Sequence, residues 1–431
     1  MSFRLQKNNE YPDRNDAMNI RIEKSFERLN NEPYASKNMF SPPEYDWPGD
    51  WEGRELLAYC RLYSLTGKKV PAMDKLMDML DERTNEFGYF GPTLNINAID
   101  EQQLSGHGWF LRGLMAYYEL FESEKAMDYA RRTVHNLFLP ALESYGTYPV
   151  QRTGDHGGVY GNIAMKCGNW CLSTDIGCAF IPLDGLAHYY AITKDKSLEM
   201  PLAYAIWQFM KLDKIGLSMQ THATLTAARG ILKYYEVSRE EPYLTCVKEI
   251  FDLYTTYGMT ANYENYNWFG NKHEKTWTEP CAVVDSMILA LELYRITSEN
   301  KYKVLARRIW FNGLQFCQRP NGGAGPNTCV NQNNPYLQIS FYDAEQCCTM
   351  RYPEGLYWYQ KNQDIFLWED GVPVWEEDRY YVNDWLLTED VNNVFSDHKH
   401  YEIDGRKLIR IPSLNRVNEQ TANNARLRVV F

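Results

Sequence analysis

Five stretches of this chain share one pattern, an amphipathic run with Leu, Ala and Tyr at helical spacing that ends in a short polar tag. They read "AYCRLYSLTGKK", "LMAYYELFESEK", "LAHYYAITKDKS", "ILKYYEVSREEP" and "ALELYRITSENK". Apolar residues recurring every three to four positions predict helices, and the tag predicts a turn. A second periodic run follows the tag. In "YKVLARRIWFNGLQF" it puts Tyr302, Leu305, Ile309 and Phe316 on one stripe. Each unit is expected to be an αα-hairpin.

The second tyrosines of the tags, Tyr63, Tyr118, Tyr190, Tyr235 and Tyr294, lie 45 to 72 residues apart. That spacing fits two helices and a variable loop rather than a tight solenoid repeat. With a sixth hairpin involving the helix around "IRIEKSFERLNN", the pattern predicts a mainly α fold, an (α/α)6 toroid with a cleft where the loops gather. After about Tyr359 the texture changes. "DIFLWEDG", "RYYVNDWLL", "KHYEIDG" and "ARLRVVF" are short runs rich in Val, Ile, Tyr and Trp, separated by turn signals. The expected organisation is a toroidal catalytic domain over residues 1–360 and a β-rich, sandwich-like region over 361–431, cut short at its last run.

Charge narrows the partners. A formal net charge of −11 over 431 residues argues against nucleic acid, whose binding rests on Lys and Arg neutralising phosphates. The 32 tyrosines and 12 tryptophans supply flat faces and hydroxyls that suit a sugar, and suit core packing equally. No apolar run reaches transmembrane length and "MSFRLQKNNEYPDRND" has no signal-peptide core, so the expectation is a soluble protein without a membrane partner. It would be cytoplasmic as written, or periplasmic or secreted if a leader has been removed.

Ten cysteines scattered irregularly through a large chain do not resemble a disulfide framework, so reduced thiols or metal ligands are expected. Cys347 and Cys348 are adjacent in "YDAEQCCTMRY", and neighbouring cysteines rarely bond to each other because the ring is strained. The bland alternative is two part-buried thiols with no shared role. Glu279 and Cys281, two apart in "KTWTEPCAVVDSM" before a helix, can turn a carboxylate and a thiol toward one point. Three thiolates and one carboxylate make a closed tetrahedral Zn2+ site. Such a site activates water poorly, so a ligand itself must do any chemistry, and a metal-held thiolate is a nucleophile at neutral pH. A general acid would be needed, and "TANYENYNWFG" offers Glu264, 15 residues before Glu279; its plain alternative is a solvated loop carboxylate. Cys167, Cys171 and Cys178 in "CGNWCLSTDIGC" form another cluster without a partner of matching spacing, and "RPNGGAGPN" lacks the Lys-Ser/Thr of a phosphate loop and is expected to be flexible and to border the cleft.

Glu264, Glu279-Pro280-Cys281 and Cys347-Cys348 on an αα-hairpin scaffold resemble glycoside hydrolase family 127, the zinc-thiolate beta-L-arabinofuranosidases, and its clan relatives. Supporting stretches across residues 40–360 are "DWEGRELLAYCRLYSLTGKK", "NEFGYFGP", "SGHGWFLRGLMAYYEL", "THATLTAARGILKYYEV" and "RIWFNGLQ". The resemblance implies that Glu279, Cys281, Cys347 and Cys348 hold Zn2+, that Cys347 is the nucleophile and that Glu264 is the acid/base. It implies that His107 and His222 contact sugar hydroxyls, with a structural hydrogen bond as the alternative for each. The implied activity is retaining hydrolysis that releases L-arabinofuranose or a related sugar from plant-type glycans.

Two departures bear on the substrate. Thr349, Met350 and Arg351 follow the cysteine pair where the family has Pro-Pro-Asn or similar, and a family histidine is missing near Ala179. Arg351 would suit a carboxylate-bearing sugar, or a structural ion pair. Rival readings are a metal-independent (α/α)6 carbohydrate enzyme, such as an unsaturated uronyl hydrolase or an epimerase, and a non-catalytic carbohydrate-binding protein with structural zinc.

Overall fold

The structure, a computed structural model, describes residues 14–35, 39–42, 45–150, 163–270, 276–331, 336–338, 343–369, 372–373, 400–403, 406–409 and 426–428. Among them, twelve helices have eight residues or more. In chain order they are α1 (Arg14–Leu29), α2 (Asp50–Thr66), α3 (Pro71–Asp78), α4 (Glu101–Phe121), α5 (Glu124–Thr133) and α6 (Pro182–Thr193). There follow α7 (Lys196–Met210), α8 (Thr221–Ser238), α9 (Glu241–Leu253), α10 (Pro280–Thr297), α11 (Asn300–Arg308) and α12 (Cys348–Lys361).

The even-numbered helices form a closed ring: each packs on the next, and α12 packs back on α2. They are buried nearly all round, as the Leu, Ala and Val of "AVVDSMILALEL" require. The odd-numbered helices bury one face against that ring, and α1 packs on α12 and α2 to complete the sixth hairpin. Thus the mainly α toroid expected from the repeats is the fold. Where α2 crosses α4 the backbones touch at Gly53, where a Cβ would lie 2.1 Å from the Phe110 nitrogen.

The polar tags have a physical explanation. Five of the six inner helices, α2, α4, α6, α8 and α10, end on a residue in the left-handed conformation, Gly67, Glu122, Lys194, Arg239 or Ser298. Its N–H donates to the carbonyl of Tyr63, Tyr118, Tyr190, Tyr235 or Tyr294 at 2.8–2.9 Å. The tag tyrosine is therefore the carbonyl that closes the helix four residues before its cap. A residue such as Ser123 or Asp195, whose side chain accepts from the next helix's first turn, then starts the outer helix.

Strands are few. Ile99–Asp100, Ile163–Cys167 and Trp170–Ser173 make a small sheet in which the third strand lies between the others. Toward the C-terminus, Trp368–Glu369 pairs with Val372–Pro373, His400–Ile403 with Arg406–Ile409, and Arg426–Arg428 with Tyr336–Gln338, all antiparallel. The run "RYYVNDWLL" lies outside the described residues. One expected strand differs: "DIFL" belongs to a helical turn, Gln363–Leu367. There Phe366 stacks on Tyr359 at 4.5 Å and meets Trp310, so tertiary packing overrides its β propensity. None of the described helices is long and apolar enough to cross a membrane.

Candidate functional site

The N-terminal ends of α8, α10 and α12 converge. Cys348 opens α12 with Cys347 as its N-cap, and Cys281 follows Pro280 at the start of α10, whose N-cap is Glu279. Unpaired N–H groups and the helix dipole favour negative charge at these ends. The sulfur atoms of Cys281, Cys347 and Cys348 lie within 4.8 Å of one another. Cys347 and Cys348 are 3.2 Å apart, and Cys348 is 3.7 Å from Cys281. None of the ten cysteines forms a disulfide.

Burial raises the thiols of Cys281 and Cys348 well above the usual range. One positive group opposes it directly: Arg54 on α2 points Nη1 at the Cys281 sulfur, 3.5 Å away. Its guanidinium is pinned by Asp50 at 2.9 Å and lies over the Trp109 ring at 4.0 Å. This cluster can take a metal ion, because it brings three soft donors together beside a buried cation that offsets their charge.

Glu279 stands beside it in a second group with Cys281 and His222, also within 4.8 Å, so Cys281 belongs to both. The Glu279 N–H donates to Asn265 Oδ1 at 2.8 Å, and its Oε1 faces His222 Nδ1 at 3.0 Å. Its Oε2 is buried without a hydrogen-bond partner, a costly state for a carboxylate oxygen unless a cation or donor reaches it.

His222 is 2% exposed and stacks on Trp109 with 5.5 Å between ring centroids. Its Nε2 lies 3.4 Å from Asp285, so carboxylates face both nitrogens and the ring bridges Glu279 to the core. Asp285 also meets Arg229 and Arg351 at 2.6 Å each and accepts from Thr226. Burial alone would raise this carboxyl, but the two guanidiniums hold it well below the usual carboxylate range. Arg351 pairs with Glu354 as well and is wholly buried, so it is a structural ion pair in the middle of the ring.

Glu264 lies in the loop before α10 and is fully buried. Asn262 Nδ2 donates to its Oε2 at 2.7 Å, and Asn327 Nδ2 donates to its Oε1 at 2.6 Å. Both amides are oriented by their own acceptors. Thr260 donates to Asn262 Oδ1 at 2.6 Å, and Arg319 to Asn327 Oδ1 at 3.0 Å, which leaves each NH2 facing the carboxyl. Burial pushes Glu264 upward, the amides and the Cys317 thiol pull it back, and the balance is about 7. Its neighbour Asn265 holds Glu279, and Asn327 is bonded to Thr278, so the segments that carry Glu264 and Glu279 are tied together.

His107 is wholly buried on α4; Nδ1 meets the Gln103 carbonyl at 2.7 Å and Nε2 accepts from the Phe90 N–H at 2.9 Å. It fastens the "GYFGP" loop, and burial lowers it to about 4. The loop "RPNGGAGPN", expected to be flexible, is packed, with Gly322 at φ +90 against Lys24. It delivers Asn327, one of the site residues that spacing alone does not reveal. Asp175 is another: half-buried before α6, it is raised to about 8 by burial and then by the charges of Glu279 and Cys347. Cys167, Cys171 and Cys178 are not part of either possible metal cluster among the described residues.

No family model and no curated protein matches the sequence. Solved structures do match in fold. A beta-arabinofuranosidase of glycoside hydrolase family 127 superposes with a TM-score of 0.53 at 10% identity, over 91% of this chain and 61% of its own. An unsaturated glucuronyl hydrolase specific for heparin gives 0.56 at 12% identity, over 82% of this chain and 99% of its own. The alpha-mannanase of family 76 from Bacteroides thetaiotaomicron gives 0.52 at 12%, over 81% and 98%. This chain thus spans about three fifths of the length of the arabinofuranosidase, at 61%. What it shares with all three is the (α/α)6 toroid.

Proposed function

We propose that the chain is a carbohydrate-active enzyme, a retaining glycoside hydrolase of the zinc-thiolate kind that releases L-arabinofuranose or a related sugar. The observation that carries this is the three-thiol cluster at the mouth of a toroid whose fold relatives include a beta-arabinofuranosidase. The donors fit zinc: Zn–S bonds of about 2.3 Å in a tetrahedron separate sulfurs by about 3.8 Å. Cys281 and Cys348 are 3.7 Å apart, and Cys347 and Cys348, now 3.2 Å apart, would part by about 0.6 Å on binding zinc. The unpartnered Oε2 of Glu279 is the natural fourth donor. Cys281, Cys347, Cys348 and Glu279 would therefore hold Zn2+, which would keep the thiols ionised at neutral pH against the burial that raises them.

The rest follows from this chain's own groups. Cys347 is the most accessible of the three thiols, at 8% against 2% and 0%, so it is the one that can meet an anomeric carbon. Glu264, neutral below about 7, gives its proton to the leaving oxygen while the Cys347 sulfur forms the bond to carbon. Water then attacks the same carbon, Glu264 takes its proton, and the carbon–sulfur bond breaks to return the thiolate. Because amides hold both Glu264 oxygens, Asn262 or Asn327 must yield one position to the leaving oxygen. His222 steadies Glu279 through Nδ1 while its Nε2 makes no hydrogen bond, and His107 shapes the cleft wall with both of its nitrogens engaged.

The test is metal analysis of the purified protein with hydrolysis of a panel of plant cell-wall oligosaccharides, products identified. One bound zinc and release of a single sugar are expected, with turnover abolished in Cys347→Ser while the helical fold is retained. A metal-free protein that epimerises sugars, or a Cys347→Ser variant with near-normal turnover, would refute the reading.

A further inference from the structure

Trp277 is 46% exposed, an unusual place for an indole two residues before Glu279. The segment from 276 to 279 is extended. Trp277 forms an antiparallel bridge with Thr328, the Thr278 N–H donates to the Asn327 carbonyl at 2.9 Å, and Glu279 has φ −123 and ψ 107. On extended backbone successive side chains point to opposite faces, so residues two apart share one. Burial follows that rule: Thr276 and Thr278 are buried, while Trp277 and Glu279 are the more open pair. The indole therefore stands on the same face of this extended segment as the Glu279 side chain.

The ring is also braced. Trp268 meets it edge to face, with centroids 6.1 Å apart and planes at 75°. Trp268 is itself fixed by a bridge to Gln220, next to the start of α8, and is 7% exposed. Both tryptophans are thus tied to the segments that carry the site: Trp268 to the His222 helix, Trp277 to the Glu279 cap and the Asn327 loop. A lone exposed apolar residue is ordinary, but a large flat ring held rigid by another at the edge of a polar site is a surface for one kind of ligand. A sugar ring presents C–H groups on one face and hydroxyls at its rim. It can cover an indole face while its hydroxyls stay wet, at low entropic cost because the indole is already fixed.

We propose that Trp277, braced by Trp268, is the platform for the sugar unit next to the one released, so that the preferred substrate is an oligosaccharide rather than a simple glycoside. This rests on the hydrolase reading above and adds a binding position to it. The test compares an oligosaccharide cleaved by the wild-type protein with the methyl glycoside of the sugar released. In Trp277→Ala, KM for the oligosaccharide is expected to rise about tenfold with kcat within a factor of about two, and the methyl glycoside constants to stay put. Trp277→Phe should restore most of the loss. Equal changes for both substrates, or none for either, would overturn the platform. If the wild-type protein cleaves nothing in the panel, the hydrolase reading falls on its own. Calorimetric titration with the same oligosaccharides then decides the platform: about a tenfold loss of affinity in Trp277→Ala supports it, and unchanged affinity or no binding by the wild-type protein overturns it.

Discussion

Glu264 and Asp285 are both wholly buried carboxylates, one in the cleft-mouth loops and the other in the middle of the helical ring, and they end in opposite states. Burial raises both. At Asp285 two guanidiniums at 2.6 Å more than cancel it, and the group stays ionised. At Glu264 the donors in contact are two neutral amides and a thiol, which offset only part of the cost and leave the group near 7. The partner's charge, rather than the depth of burial, separates a structural anion from a group poised to exchange a proton.

The largest break in that contrast comes from removing the anion at the centre. Asp285→Asn leaves Arg229 and Arg351 facing a neutral amide in the ring interior and takes a carboxylate from His222. Breaking such a network is expected to cost about 3–5 kcal/mol, read from denaturant unfolding at neutral pH. A loss under about 1 kcal/mol would mean that the guanidiniums find other anions, and that Asp285 is not held as described.

Glu264 predicts a different signature, dependent on pH. The unfolded chain releases this proton near 4.5 and the folded chain near 7, so raising the pH across that window favours unfolding. Glu264→Gln has no proton to release. Its stability should match the wild type below about pH 4.5 and exceed it by about 3 kcal/mol above pH 7, with activity lost throughout. Parallel stability curves for the two proteins would show that Glu264 is ionised from low pH and cannot serve as the acid.

These two regions were unequally legible in the sequence. The hairpins could be read because their physics is local: an apolar stripe and a polar tag, with the tag tyrosine four residues before a left-handed cap. The thiols and Glu279 could be read because cysteine pairs and a Glu-x-Cys step are rare and carry ligand chemistry. Asn262 and Asn327 could not, since neutral amides have no telling spacing and 65 residues separate them. The ion network did leave a sign, in Arg229 within "TLTAARGIL" and Asp285 within "AVVDSMILAL", charged residues inside helices apolar on every side. A charge there must meet its opposite across the ring, which marks it as core rather than cleft. For His107 and His222 the sequence left a sugar contact and a structural hydrogen bond both open, because a histidine's role depends on what faces each nitrogen, and that is decided by the fold.

The smallest test is the sharpest, because it removes one neutral hydrogen bond from each carboxylate. Asn327→Leu deletes the donor to Glu264 Oε1 and keeps the site apolar, so less opposes burial and the acid should rise by about one pH unit. With protonated Glu264 as the proposed active form, the alkaline limb of kcat/KM should move to higher pH. Thr226→Val deletes the donor to Asp285 Oδ2 and should cost about 1 kcal/mol, equally at pH 5 and pH 8, because Arg229 and Arg351 keep that group ionised. If Thr226→Val instead made stability depend on pH in that range, or Asn327→Leu moved the alkaline limb downward, neutral donors and guanidiniums would not divide the two carboxylates as proposed.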